Sequence, residues 1–124
     1  MGVELDQESF ERGWQRAMGT PTPDPAGEFG RFSAAIAFGD VWNREELTPR
    51  ERRLVVLTVL AVGGREGPCG MHLEAALRKG ELDPASVDEL TVTLTAYAGL
   101  PVGTEFAAMA ARVLGELADE DSRD

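Results

Sequence analysis

The chain of 124 residues is short of cysteine, of histidine and of basic side chains. A single cysteine, Cys69, excludes an internal disulfide, a dithiol redox pair within one chain and a zinc site of several cysteines. One histidine, His72, with scattered acids has no metal-ligand spacing, so no metal site is expected. Twelve basic residues face 22 acidic ones, a formal net charge of −10. Such a surface repels nucleic acid phosphates and anionic lipid, so neither is expected as a partner. A small anionic substrate needs a local cluster of arginine to overcome that field. The longest apolar run, Leu54 to Val62, is interrupted only by Thr58 and falls far short of the ~20 residues of a membrane span. The opening MGVELDQES has no basic patch followed by an apolar stretch, so no signal peptide is expected. Gly2 is followed by Asp6 where a myristoylation signal needs Ser or Thr. A soluble cytoplasmic protein is the expectation.

What is present reads as one globular domain over residues 1–124, with 43% hydrophobic and 27% charged residues. A chain of this size buries roughly two thirds of its unfolded surface. Its punctuation is helical. Asp6 caps a first helix to about Met18, with Phe10, Trp14, Ala17 and Met18 at helical spacing and Gly19 at the end. After a turn-rich stretch, Asp24 and Pro25 read as the start of a second helix to about Phe38, with Gly39 to Asn43 as a connector. Thr48, Pro49 and Glu51 form the strongest start signal, a capping box. The helix behind it runs to Val62 and is apolar nearly all round, which predicts a central, buried helix. A valine-rich buried strand is the competitor, and the cap and length favour helix. Pro68 to Lys79, a helix capped by Asp83 and stopped at Gly99-Leu-Pro101, and Gly103 to Leu117 complete an all-α domain of about six helices. The charged tail, Ala118 to Asp124, is expected to fray.

Chemistry has few candidates. His72 reads either as a half-buried histidine satisfied by one hydrogen bond or as a proton donor or acceptor near neutral pH. Glu66, six residues earlier in the loop before that helix, is either a solvated acid or a carboxylate that orients the imidazole. Cys69 and His72 are three apart, on one helix face. A lone cysteine is nevertheless more often a small buried hydrophobe than a nucleophile. Arg50, Arg52, Arg53 and Arg65 flank the apolar helix, either as solvated charges or as anchors for a carboxylate ligand. Trp42 and Tyr97 are aromatics of the kind that fill cores and interfaces. The residues alone name no reaction.

Several pieces in order nevertheless resemble a known family. They are Val41-Trp-Asn-Arg44, Arg52 with Leu54-Val-Val-Leu, Gly64-Arg-Glu66, His72-Leu-Glu-Ala-Ala-Leu-Arg-Lys-Gly80 and Tyr97-Ala-Gly-Leu-Pro101. From Val41 to about Leu117 the chain resembles the carboxymuconolactone decarboxylase family, and it does so more loosely from Ser9 to Phe38. One branch of that family, similar to alkyl-hydroperoxidase D, works by a Cys-x-x-Cys pair ahead of the histidine. Those positions here are Arg65 and Pro68, which argues against dithiol peroxide reduction. The γ-carboxymuconolactone decarboxylases lack the pair and keep the histidine, and the chain resembles that branch. The resemblance implies a helical subunit of the alkyl-hydroperoxidase D type that assembles as a trimer or hexamer.

It also implies a cofactor-independent decarboxylation of γ-carboxymuconolactone to β-ketoadipate enol-lactone, in protocatechuate catabolism, or of a related lactone or keto acid. Loss of carbon dioxide sends electrons through the ring to the lactone carbonyl. Protonation at the neighbouring carbon then gives the product. On that reading His72 is the proton donor or oxyanion partner and Glu66 its helper or the acid itself. Arg52, with Arg44, binds a substrate carboxylate, and Trp42 and Tyr97 line or close the pocket. Departures at Val102-Gly-Thr-Glu105 and Gly67-Pro-Cys-Gly-Met71 bear on the substrate more than on the fold. The alternatives are a same-fold enzyme acting on another small acid in a biosynthetic pathway, and a non-catalytic helical oligomer.

Overall fold

The computed structural model describes residues 4–123, all helix and connecting turn. Met1 to Val3 and Asp124 lie outside the described residues, and with them the Gly2 position weighed for lipidation and the last residue of the tail. Six α-helices follow in order: α1 (Gln7–Ala17), α2 (Gly27–Ala34), α3 (Pro49–Val62), α4 (Glu66–Arg78), α5 (Pro84–Ala98) and α6 (Leu100–Ser122). The fold is all-α, as the sequence predicts. Among the described residues no helix is long and apolar enough to cross a membrane. Close contacts divide the chain into two compact units, Met1–Arg52 and Arg53–Asp124. The first turn of α3 belongs to the former and the rest to the latter.

In the first unit Phe10, Trp14 and Phe38 form a tilted aromatic cluster, with ring centroids 4.8–6.2 Å apart. Asn43 staples it by donating through Nδ2 to the carbonyls of Ser9, Phe38 and Gly39. Two boundaries differ from the sequence reading. The second helix starts at Gly27, not at Asp24-Pro25, because a positive φ of 70° at Gly27 bends the chain after the proline. It also does not end at a loop. It continues as a π-helical turn over Ala35–Asp40 and a 3₁₀ turn over Val41–Asn43, where a connector was expected.

In the second unit α3 to α6 enclose a core of Leu57, Cys69, Leu73, Ala76, Val87, Leu94, Phe106, Met109 and Val113. Asp83 caps α5, its carboxylate accepting from the Ser86 N–H at 2.8 Å. Only Gly99, at φ 103°, separates α5 from α6. Pro101 therefore stands in the first turn of α6, where its missing N–H costs nothing, and does not act as a stop. α6 runs on through Ser122, past the Leu117 expected, and Glu120 pairs with Arg78 of α4 at 2.9 Å.

α3 (Pro49–Val62) departs furthest from the central, buried helix that the sequence predicts. Its capping box is formed: the Thr48 N–H donates to the Glu51 carboxylate and the Glu51 N–H to the Thr48 hydroxyl. The helix is not buried all round, however. Leu57 is fully enclosed, while Val55, Val59 and Val62 form an exposed stripe. The apolar run thus has one face in the core and another in solvent.

Candidate active site around His72

The centre of the second unit is a charge inside the core. Arg53 follows the first turn of α3 and has 0% relative exposure. It is one turn before Leu57, so the helix period that buries Leu57 also turns Arg53 inward. A buried guanidinium needs partners for its donors. Glu81 supplies two acceptors: Arg53 Nε donates to Oε1 at 2.8 Å and Nη2 to Oε2 at 3.3 Å. Nη1 meets Nδ1 of His72 at 2.8 Å.

The position of Glu81 follows from a glycine. α4 ends at Arg78, and Gly80 adopts a φ of 72°. The Gly80 N–H returns to the Leu77 carbonyl at 3.2 Å and the Glu81 N–H to that of Ala76 at 2.9 Å. This is a Schellman motif, which closes the helix and fixes the backbone of the residue after the glycine. That residue is Glu81.

His72 lies on the second turn of α4 and is half-buried. Burial, and next the Arg53 charge, push its imidazole down from 6.5 to about 4. At neutral pH the ring is uncharged. Cys69, one turn earlier, is enclosed; its thiol faces the Leu57 carbonyl at 3.8 Å and is pushed up to about 11 by burial. A protonated, enclosed thiol is not an activated nucleophile.

Glu66 is the first residue of α4, not a loop residue, because the helix begins two residues before Pro68. Its side chain is 72% exposed and pairs with Arg112 of α6 at 3.6 Å. The charged partner at the imidazole is therefore Arg53, backed by Glu81, where Glu66 was expected. Glu66 instead edges a cleft of about 400 Å³ with Arg65, Cys69, Glu105, Phe106 and Met109 among its lining. Tyr97, at 92% exposed, projects into solvent near the end of α5.

The remaining candidates are brought together in the first unit. Trp42, Arg44 and Arg52 line one cleft of about 280 Å³ with Arg16 and Glu45. Trp42 is buried there. Arg44 pairs with Asp40 through two contacts, at 2.9 and 3.3 Å, and Arg52 donates to the Arg44 carbonyl. Arg16 donates to the Asn43 carbonyl. Arg16, Arg44 and Arg52 outnumber Glu45 in this cleft, which gives it local positive charge on an acidic chain, part of it offset by Asp40 on Arg44.

In the sequence Arg53 is one of several arginines flanking the apolar helix, and nothing marks Glu81. The sequence does not separate Arg53 from Arg50 and Arg52; the burial of Leu57, four residues further on, shows which arginine turns inward.

Fold and site together define an all-α domain with one neutral imidazole held from inside the core by an arginine–glutamate pair. The chain belongs to the carboxymuconolactone decarboxylase family, whose sequence model matches residues 27–112. The match spans α2 to most of α6 and includes both Arg53 and His72. No curated protein matches the chain.

Proposed function

We propose that the protein is a cofactor-independent carboxy-lyase acting on γ-carboxymuconolactone or a closely related small anionic lactone or keto acid. The observation that carries this reading is His72. It is the chain's one imidazole, lies inside the family match, and is kept neutral and oriented by a buried partner. Decarboxylation of such a lactone needs little more than a held carboxylate, a hydrogen-bond donor for the growing oxyanion and one proton. The ring carboxylate leaves as carbon dioxide, and its bonding electrons delocalise to the lactone carbonyl. Arg52 and Arg44 are proposed to bind a substrate carboxylate, as the cationic cleft in the first unit suits that chemistry. Glu66, being paired with Arg112, is the weaker candidate for the acid.

The same reading includes self-association. Val55, Val59 and Val62 on α3 leave an apolar stripe exposed, and Phe29 on α2 is 83% exposed. Apolar residues aligned on one helix face suit contact with further copies of the chain.

The test is turnover of γ-carboxymuconolactone by the purified protein, followed by NMR, with His72→Ala alongside. Conversion to the enol-lactone that falls about 10²–10³-fold in the variant supports the assignment. A well-folded oligomer that leaves the lactone untouched overturns it, in favour of another acid substrate or a scaffold without catalysis.

A further inference from the structure

Arg53 reaches His72 at the one ring atom that decides where the imidazole carries its proton. A guanidinium has only donors. The 2.8 Å contact between Arg53 Nη1 and His72 Nδ1 therefore makes Nδ1 the acceptor. The proton of the neutral ring must then be on Nε2. Glu81 holds Arg53 by two further charge-assisted bonds, so the guanidinium cannot turn away without breaking them.

We propose that Arg53 is a positioning residue that locks His72 in the Nε2-protonated tautomer, so that His72 serves as a hydrogen-bond donor to the developing oxyanion and does not hand over the proton. The identity of that oxyanion rests on the lyase reading above; the lock does not. If Nδ1 gained a proton, two N–H groups would face each other across the contact. If Nε2 lost its proton, an imidazolate would remain, which has no place near neutral pH. The balance is then simple. The carbon–carbon bond to the departing carboxylate breaks to release carbon dioxide, and its electron pair passes to the lactone carbonyl oxygen, which accepts a hydrogen bond from Nε2. The carbon beside the carbonyl takes its proton from solvent water, and the hydroxide left behind is neutralised in bulk.

The electrostatics point the same way. Burial and the Arg53 charge both oppose an imidazolium, while Glu81 beyond the guanidinium offsets part of that charge.

Because His72 is the only histidine, ¹⁵N-histidine labelling of the intact protein reports on it without assignment. Long-range proton–nitrogen spectra are expected to show one Nε2-protonated tautomer, unchanged from about pH 9 down to about pH 5.5, below the ordinary histidine range. A ring protonated on Nδ1, or one that titrates near the ordinary value, overturns the lock. Arg53→Met is expected to release a mixture of tautomers and to raise the midpoint; a folded variant with an unchanged spectrum removes Arg53 from the role. Should that variant not fold, the wild-type spectrum decides by itself. Turnover tests the second half. His72→Gln keeps an N–H donor and is expected to stay within about tenfold of wild type, while His72→Ala loses about 10²–10³-fold. Equal losses in both would mean that the imidazole must transfer a proton. A locked tautomer in a protein inactive on the lactone would retire the lyase reading and leave the lock in place.

Discussion

Glu81 takes two nitrogens of the Arg53 guanidinium, at 2.8 and 3.3 Å, and Arg53 itself has no exposed surface. A pair this buried is asymmetric in its energetics. Removing one partner leaves a charge in the core, at a cost of about 3–5 kcal/mol, whereas replacing both by apolar groups is often close to neutral. Urea unfolding of Glu81→Leu and of Arg53→Met should each show a loss in that range. The double variant should recover much of it. Additive losses would mean that the two residues do not stabilise each other.

The low proton affinity of His72 makes stability depend on pH. The folded ring has a midpoint of about 4 and the ordinary value is 6.5. Between these two values the unfolded chain binds a proton that the folded chain refuses. Stability is therefore expected to fall as pH drops from about 6.5 toward about 4, by at most about 3 kcal/mol, and to be unaffected by this group above pH 7 or so. Chemical unfolding at a series of pH values, compared with His72→Gln, checks it. The variant should lack that part of the acid slope, and an identical slope would contradict the shift.

Gly80 is predicted to matter for its backbone alone. An added Cβ would meet nothing within 4 Å, yet the φ of 72° is one that L side chains rarely adopt. Gly80→Ala should cost about 1–2 kcal/mol. It should also loosen Glu81, the residue that the Schellman turn fixes. Thermal unfolding gives the first effect, and the NMR midpoint of His72 in the same variant gives the second.

How much of this was legible in the sequence depends on range. The capping box at Thr48 and Glu51 and the cap at Asp83 are local chemistry, and both form as read. Boundaries failed where one residue's backbone overrode a cap signal, as at Gly27, or where a proline began a helix, as at Pro101. The site was half legible. A lone histidine in a helix after a glycine-rich break is visible in the sequence, whereas Trp42, Arg44 and Arg52, which share one cleft, were grouped only by the family resemblance. The Arg53–Glu81 pair joins residues 28 apart across two helices and a turn. No local rule pairs them, because a run of arginines at a helix start reads as solvated until the packing of Leu57 shows which one turns inward.

Gly13 is a different case from Gly80, because there the space is lacking. A Cβ on Gly13 would fall on the backbone carbonyl of Phe38, in the aromatic cluster of the first unit. A side-chain tip could swing aside; a carbonyl held in the turn around Asn43 cannot, since its oxygen also accepts from Asn43 Nδ2 at 3.1 Å. α1 would have to shift away from the π-helical turn, opening the contacts among Phe10, Trp14 and Phe38. Helix propensity alone would favour alanine by about 1 kcal/mol. Overpacking is expected to outweigh it, leaving Gly13→Ala destabilised by roughly 1–3 kcal/mol. Urea unfolding monitored by tryptophan fluorescence, to which Trp14 contributes, measures the balance. An alanine variant as stable as wild type would mean that the close approach of α1 to Phe38 does not hold in solution.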